Sequence, residues 1–277
     1  MIHAAPRSLF DDYPPRAGEV GVVDRHWPWG HALRHGARGD GRPARAALTN
    51  LWASVQAVSS IREVVLPAGE YDLGDLGLGE EVLTLRDVHD LRILASGAHL
   101  VCNTTARSIS KVLMFIDCER LTIEGLAGRD DGYAPAIAWK GAVLVYIQNV
   151  ARPSGTLAGY DLRGIEATRM VAPFIFAGQD GARIRDITFD IRAMDCFYGP
   201  SFQNQGDDVR GYAYCYNVRR AYFPYGVTNH DVGLRIESDA RNIGSNACIP
   251  ITRSRADKGR DTSHIRVRAS FGGRLPW

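Results

Sequence analysis

The sequence has no CxxC pair and an odd number of cysteines, five in 277 residues. That argues against a closed disulfide framework and against a zinc site. Cys102, Cys118, Cys196, Cys215 and Cys248 are therefore expected to be small buried residues, the usual state of a free cysteine. No run approaches the roughly 18 apolar residues of a membrane-spanning helix, and Ile2 to Asp12 lacks the apolar stretch of a signal peptide. No membrane partner is expected, and as written the chain reads as cytoplasmic. Charge of one sign is also lacking. With 33 basic and 31 acidic residues, a net charge of +2 gives no global attraction to nucleic acid. P-loop, helix-opening GxGxxG, HExxH and GxSxG motifs are all missing, so no cofactor or metal is expected.

Residues 1–38 carry Pro14, Pro15, Pro28 and the cluster His26, Trp27, Trp29, His31 and His35, with no sustained periodicity. This is read as a loop-rich lead-in. His31 and His35 have helical spacing, but Gly30 and Gly36 flank them and no carboxylate stands at fixed spacing, so they are not read as metal ligands. From Pro43 the pattern changes: Leu48, Leu51, Trp52, Val55 and Val58 recur at helical intervals behind Gly39-Asp40-Gly41. An amphipathic helix is predicted, followed by a short strand at Val64–Leu66 that Pro67 and Gly69 stop.

Beyond this helix, short apolar segments repeat. Their first apolar residues are Leu91, Leu121, Val143, Leu162, Ile184, Val209, Val232 and Ile265, spaced 30, 22, 19, 22, 25, 23 and 33 residues apart. A period in the low twenties signals a solenoid, and no ten-residue helical pattern intervenes to make βαβ units. A second register, Ala172, Asp195, Ala221 and Ala247, each followed two places later by a large apolar residue, runs at spacings of 23, 26 and 26. The predicted fold is all-β: a single-stranded parallel β-helix over 39–277, with 39–71 as its N-terminal cap.

The segments Gly39-Asp40-Gly41, the helix after it, VVLPAGEY at 64–71 and LTLRDVHDLRILASGAHLVC at 83–102 resemble the cap and first coil of the pectate lyase and polygalacturonase superfamily. The resemblance implies a right-handed parallel β-helix and extends through the repeats to about residue 270. It says less about chemistry, because that superfamily spans lyases, hydrolases, epimerases, phage tailspikes and non-catalytic proteins. Of the polygalacturonase motifs, Gly206-Asp207-Asp208 is similar to the paired aspartates, and Leu234-Arg235-Ile236-Glu237 to the last motif with Glu237 in place of lysine. The GHG and NTD motifs are missing, so a standard hydrolase set is not complete.

Several residues are candidates for chemistry. Asp207 and Asp208 form an acidic pair of the kind glycoside hydrolysis uses, but Asp208 precedes its strand as Asp90, Asp161 and Asp231 do, which suits a turn residue. Asp195 interrupts a register otherwise held by Ala172 and Ala221, so it is predicted to be a buried acid partnered by Arg192, Arg219 or Arg220, either as an ion pair or as a tuned acid or base. His230 is a further acid or base candidate. Arg169, Arg192, Arg219, Arg220 and Arg235 fall on successive coils and are predicted to form a basic stripe that binds carboxylates. Tyr212, Tyr214 and Tyr216 share one strand face by period two, and Tyr222 and Tyr225 lie in a loop-like stretch suited to sugar stacking.

The expected function is an enzyme on an acidic polysaccharide or similar glycan, a lyase or non-standard hydrolase, with Asp195 as acid or base. Two alternatives stand beside it: a non-catalytic glycan-binding or phage or surface adhesion β-helix, and an intracellular isomerase or cyclase on a small metabolite. Phe271 to Trp277 is too short for an obvious cap, so trimerisation through that end, truncation or an irregular cap would each cover the last coil.

Overall fold

The structure is a computed structural model. It describes residues 12–134, 140–150, 155–178, 183–203, 206–225, 228–237 and 263–272. After a short 3-10 turn at Ala32–His35 come β1 (Asp40–Pro43), α1 (Arg45–Ala57), β2 (Glu63–Val65), β3 (Gly69–Leu76), β4 (Glu81–Arg86) and β5 (His89–Thr104). Then follow β6 (Ile109–Ile116), β7 (Glu119–Asp130), β8 (Gly141–Asn149), β9 (Thr156–Thr168), β10 (Ala172–Gly178) and β11 (Arg183–Met194). The remaining described strands are β12 (Ser201–Gln203), β13 (Asp207–Tyr216), β14 (Phe223–Tyr225), β15 (Thr228–Glu237) and β16 (Ser263–Gly272).

The strands divide into two sheets. The first has the order β1-β3-β5-β7-β9-β11-β13-β15-β16, with β2 also on β5; the second has β14-β12-β10-β8-β6-β4. Every strand pair given a register is parallel, for example Ile187 beside Val209 and Phe176 beside Phe202. The chain therefore alternates between sheets and lays each pass beside the previous one, which makes a parallel β solenoid. Alternate residues turn inward, and the aromatic rings of Phe174, Phe176, Phe189 and Phe202 fill the space between the sheets, with Phe176 and Phe202 stacked at 5.5 Å. Cys102, Cys118, Cys196 and Cys215 are buried and unbridged, as their spacing suggested; Cys248 lies outside the described residues.

The corners are built from residues that tolerate a left-handed backbone. Asp90, Arg120, Gly159, Asp186, Asp208 and Asn229 stand one above another at the start of the long strands, all with positive φ. Arg169, Asp195 and Asn217 do the same after β9, β11 and β13. Asp and Asn visit this region more readily than other non-glycine residues, which explains the acidic look of the turns. Gly69 is needed for another reason: a Cβ there would sit 2.1 Å from the Gly39 carbonyl oxygen.

The predicted helix is α1, which buries Leu48, Leu51, Trp52 and Val55 and lies against β3 and β4. The repeat register differs from the prediction in part. Leu91, Leu121 and Val209 are equivalent through Tyr160 and Ile187, whereas Leu162 and Val232 stand two residues further along their strands. Val143 belongs to the second sheet. A slip of two residues keeps the same face inward, so apolar pattern alone does not separate these registers.

Residues 12–38 carry no helix or strand beyond the 3-10 turn, yet they are fastened. Arg34 and Glu19 form a forked pair, Nε to Oε1 at 2.8 Å and Nη2 to Oε2 at 2.9 Å, with side chains 0% and 1% exposed. Arg34 Nη1 also donates to the Trp27 carbonyl at 3.0 Å, and the Arg16 guanidinium lies 3.7 Å from the Trp29 ring. Burial pushes the Glu19 carboxyl up, but hydrogen bonds from Arg34 and the Arg16 backbone outweigh it and hold the group below the usual range. Because the folded value is lowered, this contribution is complete above the ordinary glutamate range and is lost as pH falls through the lowered value. Glu19→Ala leaves a buried guanidinium without its counter-charge and is expected to cost about 3 to 5 kcal/mol at neutral pH, measured by urea unfolding of the variant against the parent; a loss under about 1 kcal/mol would contradict a buried pair.

Candidate functional site

On β11, Phe189, Ile191 and Ala193 point into the core, which turns Asp190 and Arg192 outward; on β13, Ala213 and Cys215 point in and Tyr212 and Tyr214 out. On β15, Leu234 and Ile236 are buried and Gly233, Arg235 and Glu237 face out. Parallel register then assembles two outward rows, Asp190 beside Tyr212 beside Gly233, and Arg192 beside Tyr214 beside Arg235. These rows line a groove of about 630 Å³ with Met194 and Glu237 at its far end. Tyr212 is 44% exposed. A Cβ on Gly233 would come within 3.1 Å of the Tyr212 Cδ2, so the glycine is what lets this ring lie across the next coil.

One side of the groove is internally paired. The Tyr214 hydroxyl donates to Glu237 Oε2 at 2.7 Å, Arg235 Nε donates to Glu237 Oε1 at 2.8 Å, and the Arg235 guanidinium stands 6.0 Å from the Tyr214 ring centre. The tyrosine hydrogen bond, and after it the arginine, hold the Glu237 carboxyl below the usual range; the same bond raises the Tyr214 hydroxyl. On the other side, neither Asp190 nor Arg192 has a side-chain hydrogen-bond or ion-pair partner among the described residues. The groove thus carries two guanidinium groups and two carboxylates, of which one pair is closed and the other open.

The backbone positions that carry the two carboxylates are far apart. Asp190 and Glu237 are separated by two coils across the sheet and four residues along it, about 16 Å between backbones at ordinary strand spacings. The Glu237 carboxylate leans back from its own backbone position to the height of the Tyr214 and Arg235 row, where both side chains engage it.

Of the residues singled out in the sequence, Arg192, Arg235, Tyr212 and Tyr214 reach the groove. Asp208 occupies the corner ladder, exposed, and accepts from Asn229 Nδ2 at 3.0 Å; Asp207 stands next to it, half-buried, away from the groove. The expected buried position of Asp195 is corrected. It is exposed at the corner after β11 and accepts from Asn217 Nδ2 at 3.0 Å, with no arginine partner among the described residues. Its structural equivalents are Arg169 and Asn217, not Ala172 and Ala221. The basic stripe also divides: Arg219 and Arg220 pack on Phe197, with Arg220 also over Tyr198 and Phe223, on the connection between β13 and β14. Tyr222, predicted in an open loop, is fully buried. The side chain of Tyr225 and the C-terminal residues 273–277 lie outside the described residues.

His230 is buried at 2% exposure beneath Phe202. Its Nε2 is 2.6 Å from the Gly206 carbonyl, which can only accept, so Nε2 carries the proton and Nδ1 accepts from the Tyr222 hydroxyl. With both nitrogens used inside the core, the imidazole does not face the groove. Among the described residues no group of three or more His, Cys, Asp or Glu could hold a metal ion.

The groove residues not anticipated as site members are Asp190, Met194 and Glu237. Their signal was the alternation in DITFDIRAM for Asp190 and Met194 and in VGLRIE for Glu237, which places these side chains on the outward face. Comparison of the chain with protein-family models, curated proteins and solved structures finds no match.

Burial lowers the His230 pKa to about 4. The folded value lies below the ordinary 6.5 or so, so stability is complete above about pH 6.5 and falls as the unfolded chain takes up a proton that the folded chain refuses. Between pH 7.5 and 4.5 the parent is expected to lose about 2 to 3 kcal/mol from this group. Urea unfolding of His230→Gln, destabilised at pH 7.5 but with a shallower pH slope, checks it; an unchanged slope would contradict the assignment.

Proposed function

We propose that the chain is a right-handed parallel β-helix of the pectate-lyase-like kind, with α1 as its N-terminal cap, and that it binds an acidic glycan in the groove on β11, β13 and β15. The observation that carries the reading is the row Arg192, Tyr214 and Arg235 set beside the exposed ring of Tyr212. An exposed aromatic face packs on the C–H face of a sugar ring, and an unpaired guanidinium binds a carboxylate through two parallel hydrogen bonds. A groove that crosses three consecutive coils suits an extended chain better than a small metabolite, because each coil adds its own outward contacts along it.

A second reading, cleavage by β-elimination, is favoured by the open side chains Asp190 and Arg192 on β11, Asp190 beside Tyr212 and Arg192 beside Tyr214. Arg192 would neutralise the sugar carboxylate and acidify the adjacent C–H. The Asp190 carboxylate would take that proton, the electron pair would form the C=C bond, and the glycosidic C–O bond would break as the Tyr212 hydroxyl gives its proton to the leaving oxygen, to be regained through solvent from Asp190. Two-carboxylate hydrolysis has less support, because the Glu237 carboxylate is already engaged by Tyr214 and Arg235.

Titration calorimetry with a panel of acidic glycan oligosaccharides tests binding. Tyr212→Ala and Arg192→Ala are each expected to weaken it by about tenfold, or about 1.4 kcal/mol. Absence of binding to every acidic member by the parent would overturn the reading. Unsaturated sugar ends, followed by ultraviolet absorbance, would establish elimination; binding without them would leave a non-catalytic receptor.

A further inference from the structure

The charges in the groove are sparse and balanced, and this constrains the ligand beyond its being acidic. Of the two guanidinium groups, only that of Arg192 lacks a hydrogen-bond or ion-pair partner among the described residues, with Glu166 beside it in register on β9. Arg235 is already engaged by Glu237 through Nε at 2.8 Å and Nη2 at 2.6 Å. Asp190 stands open on the same strand, two residues from Arg192. A polyanion with a carboxylate on every sugar would therefore set one carboxylate on Arg192 and its neighbours against Asp190 and Glu237. Like charges brought together cost binding energy.

The coil spacing decides where the next contact falls. Neighbouring strands lie about 4.8 Å apart, close to the advance of one pyranose along an extended glycan, so adjacent sugars meet adjacent coils. In the row Arg192, Tyr214, Arg235, the coil after the open arginine offers a tyrosine ring, and the next offers an arginine whose charge is spent on Glu237. The sugar next to the acidic one thus meets an aromatic face and no free cation.

Resting on the acidic-glycan reading above, we infer that the groove selects a heteropolysaccharide in which acidic sugars alternate with neutral ones, with the carboxylate on Arg192 and the neutral ring over Tyr214, and that it discriminates against polyuronates. The discrimination comes from Glu237, which takes the charge of Arg235 out of play.

The test compares, at one ionic strength, a hexasaccharide alternating glucuronate with N-acetylglucosamine, an oligogalacturonate of equal length and a neutral cello-oligosaccharide. The alternating ligand is expected to bind about tenfold more tightly than the oligogalacturonate, and Arg192→Ala to reduce it to the level of the neutral one. Glu237→Gln, an outward-facing change that keeps the shape, is expected to release Arg235 and raise oligogalacturonate affinity severalfold. Equal or tighter binding of the oligogalacturonate by the parent, still lost in Arg192→Ala, would overturn the alternation while leaving the acidic-glycan reading standing. No binding of either acidic ligand would overturn both. An oligogalacturonate affinity unchanged in Glu237→Gln would remove Glu237 as the discriminating group.

Discussion

Parallel pairing of each coil with the next is the constraint from which the other features follow. A strand inside such a stack has both edges occupied, so its N–H and C=O groups are satisfied only if the neighbouring coils present matching strands at the same height. That forces corners to recur at the same height too. The ladder Asp90, Arg120, Gly159, Asp186, Asp208 and Asn229 is the result, with Asn229 donating to Asp208 between coils as Asn217 donates to Asp195. Acidic residues that look like chemistry in one dimension are, in three, the turn residues of a repeating corner.

The same stacking creates the groove. No single strand contains it: β11 supplies an acid and an arginine, β13 two tyrosines, and β15 a glycine, an arginine and an acid. Because outward positions repeat every second residue and coils lie in register, these side chains meet without any dedicated loop. Rigid strands are good supports for such a site, since their backbone is fixed by hydrogen bonds on both sides.

Several buried polar groups are held by multiple hydrogen bonds, while among the described residues the buried Thr104 Oγ1, Asn149 Oδ1 and Ser201 Oγ have none. Asp130, entirely buried, accepts backbone N–H groups from Thr104, Gly132 and Ala142 at 2.8 to 2.9 Å. His230 bridges Tyr222 and Gly206, and Arg34 is held by Glu19 and carbonyl oxygens. A buried polar group without partners would cost several kcal/mol, so each of these defines one arrangement of the segments it joins. The role suits His230 to fixing the turn before β13 and makes it a poor proton shuttle, for its ring has no free nitrogen.

The helix α1, the burial of four cysteines and the alternation of strands with turns were legible in the sequence, because each depends on residues near one another in the chain: helical spacing for Leu48 to Val55, small apolar character for Cys102 to Cys215. Which residues stand side by side was decided by the tertiary structure. Coil lengths vary, from 21 residues between Val209 and His230 to 39 between Leu121 and Tyr160, and a slip of two leaves the apolar pattern intact. Asp195 was therefore placed in the wrong ladder, and Asp190 and Glu237 were not seen to share a groove. Alternation along each strand determined which side chains face outward; only the inter-coil hydrogen bonds, which no local pattern encodes, determined which of them become neighbours.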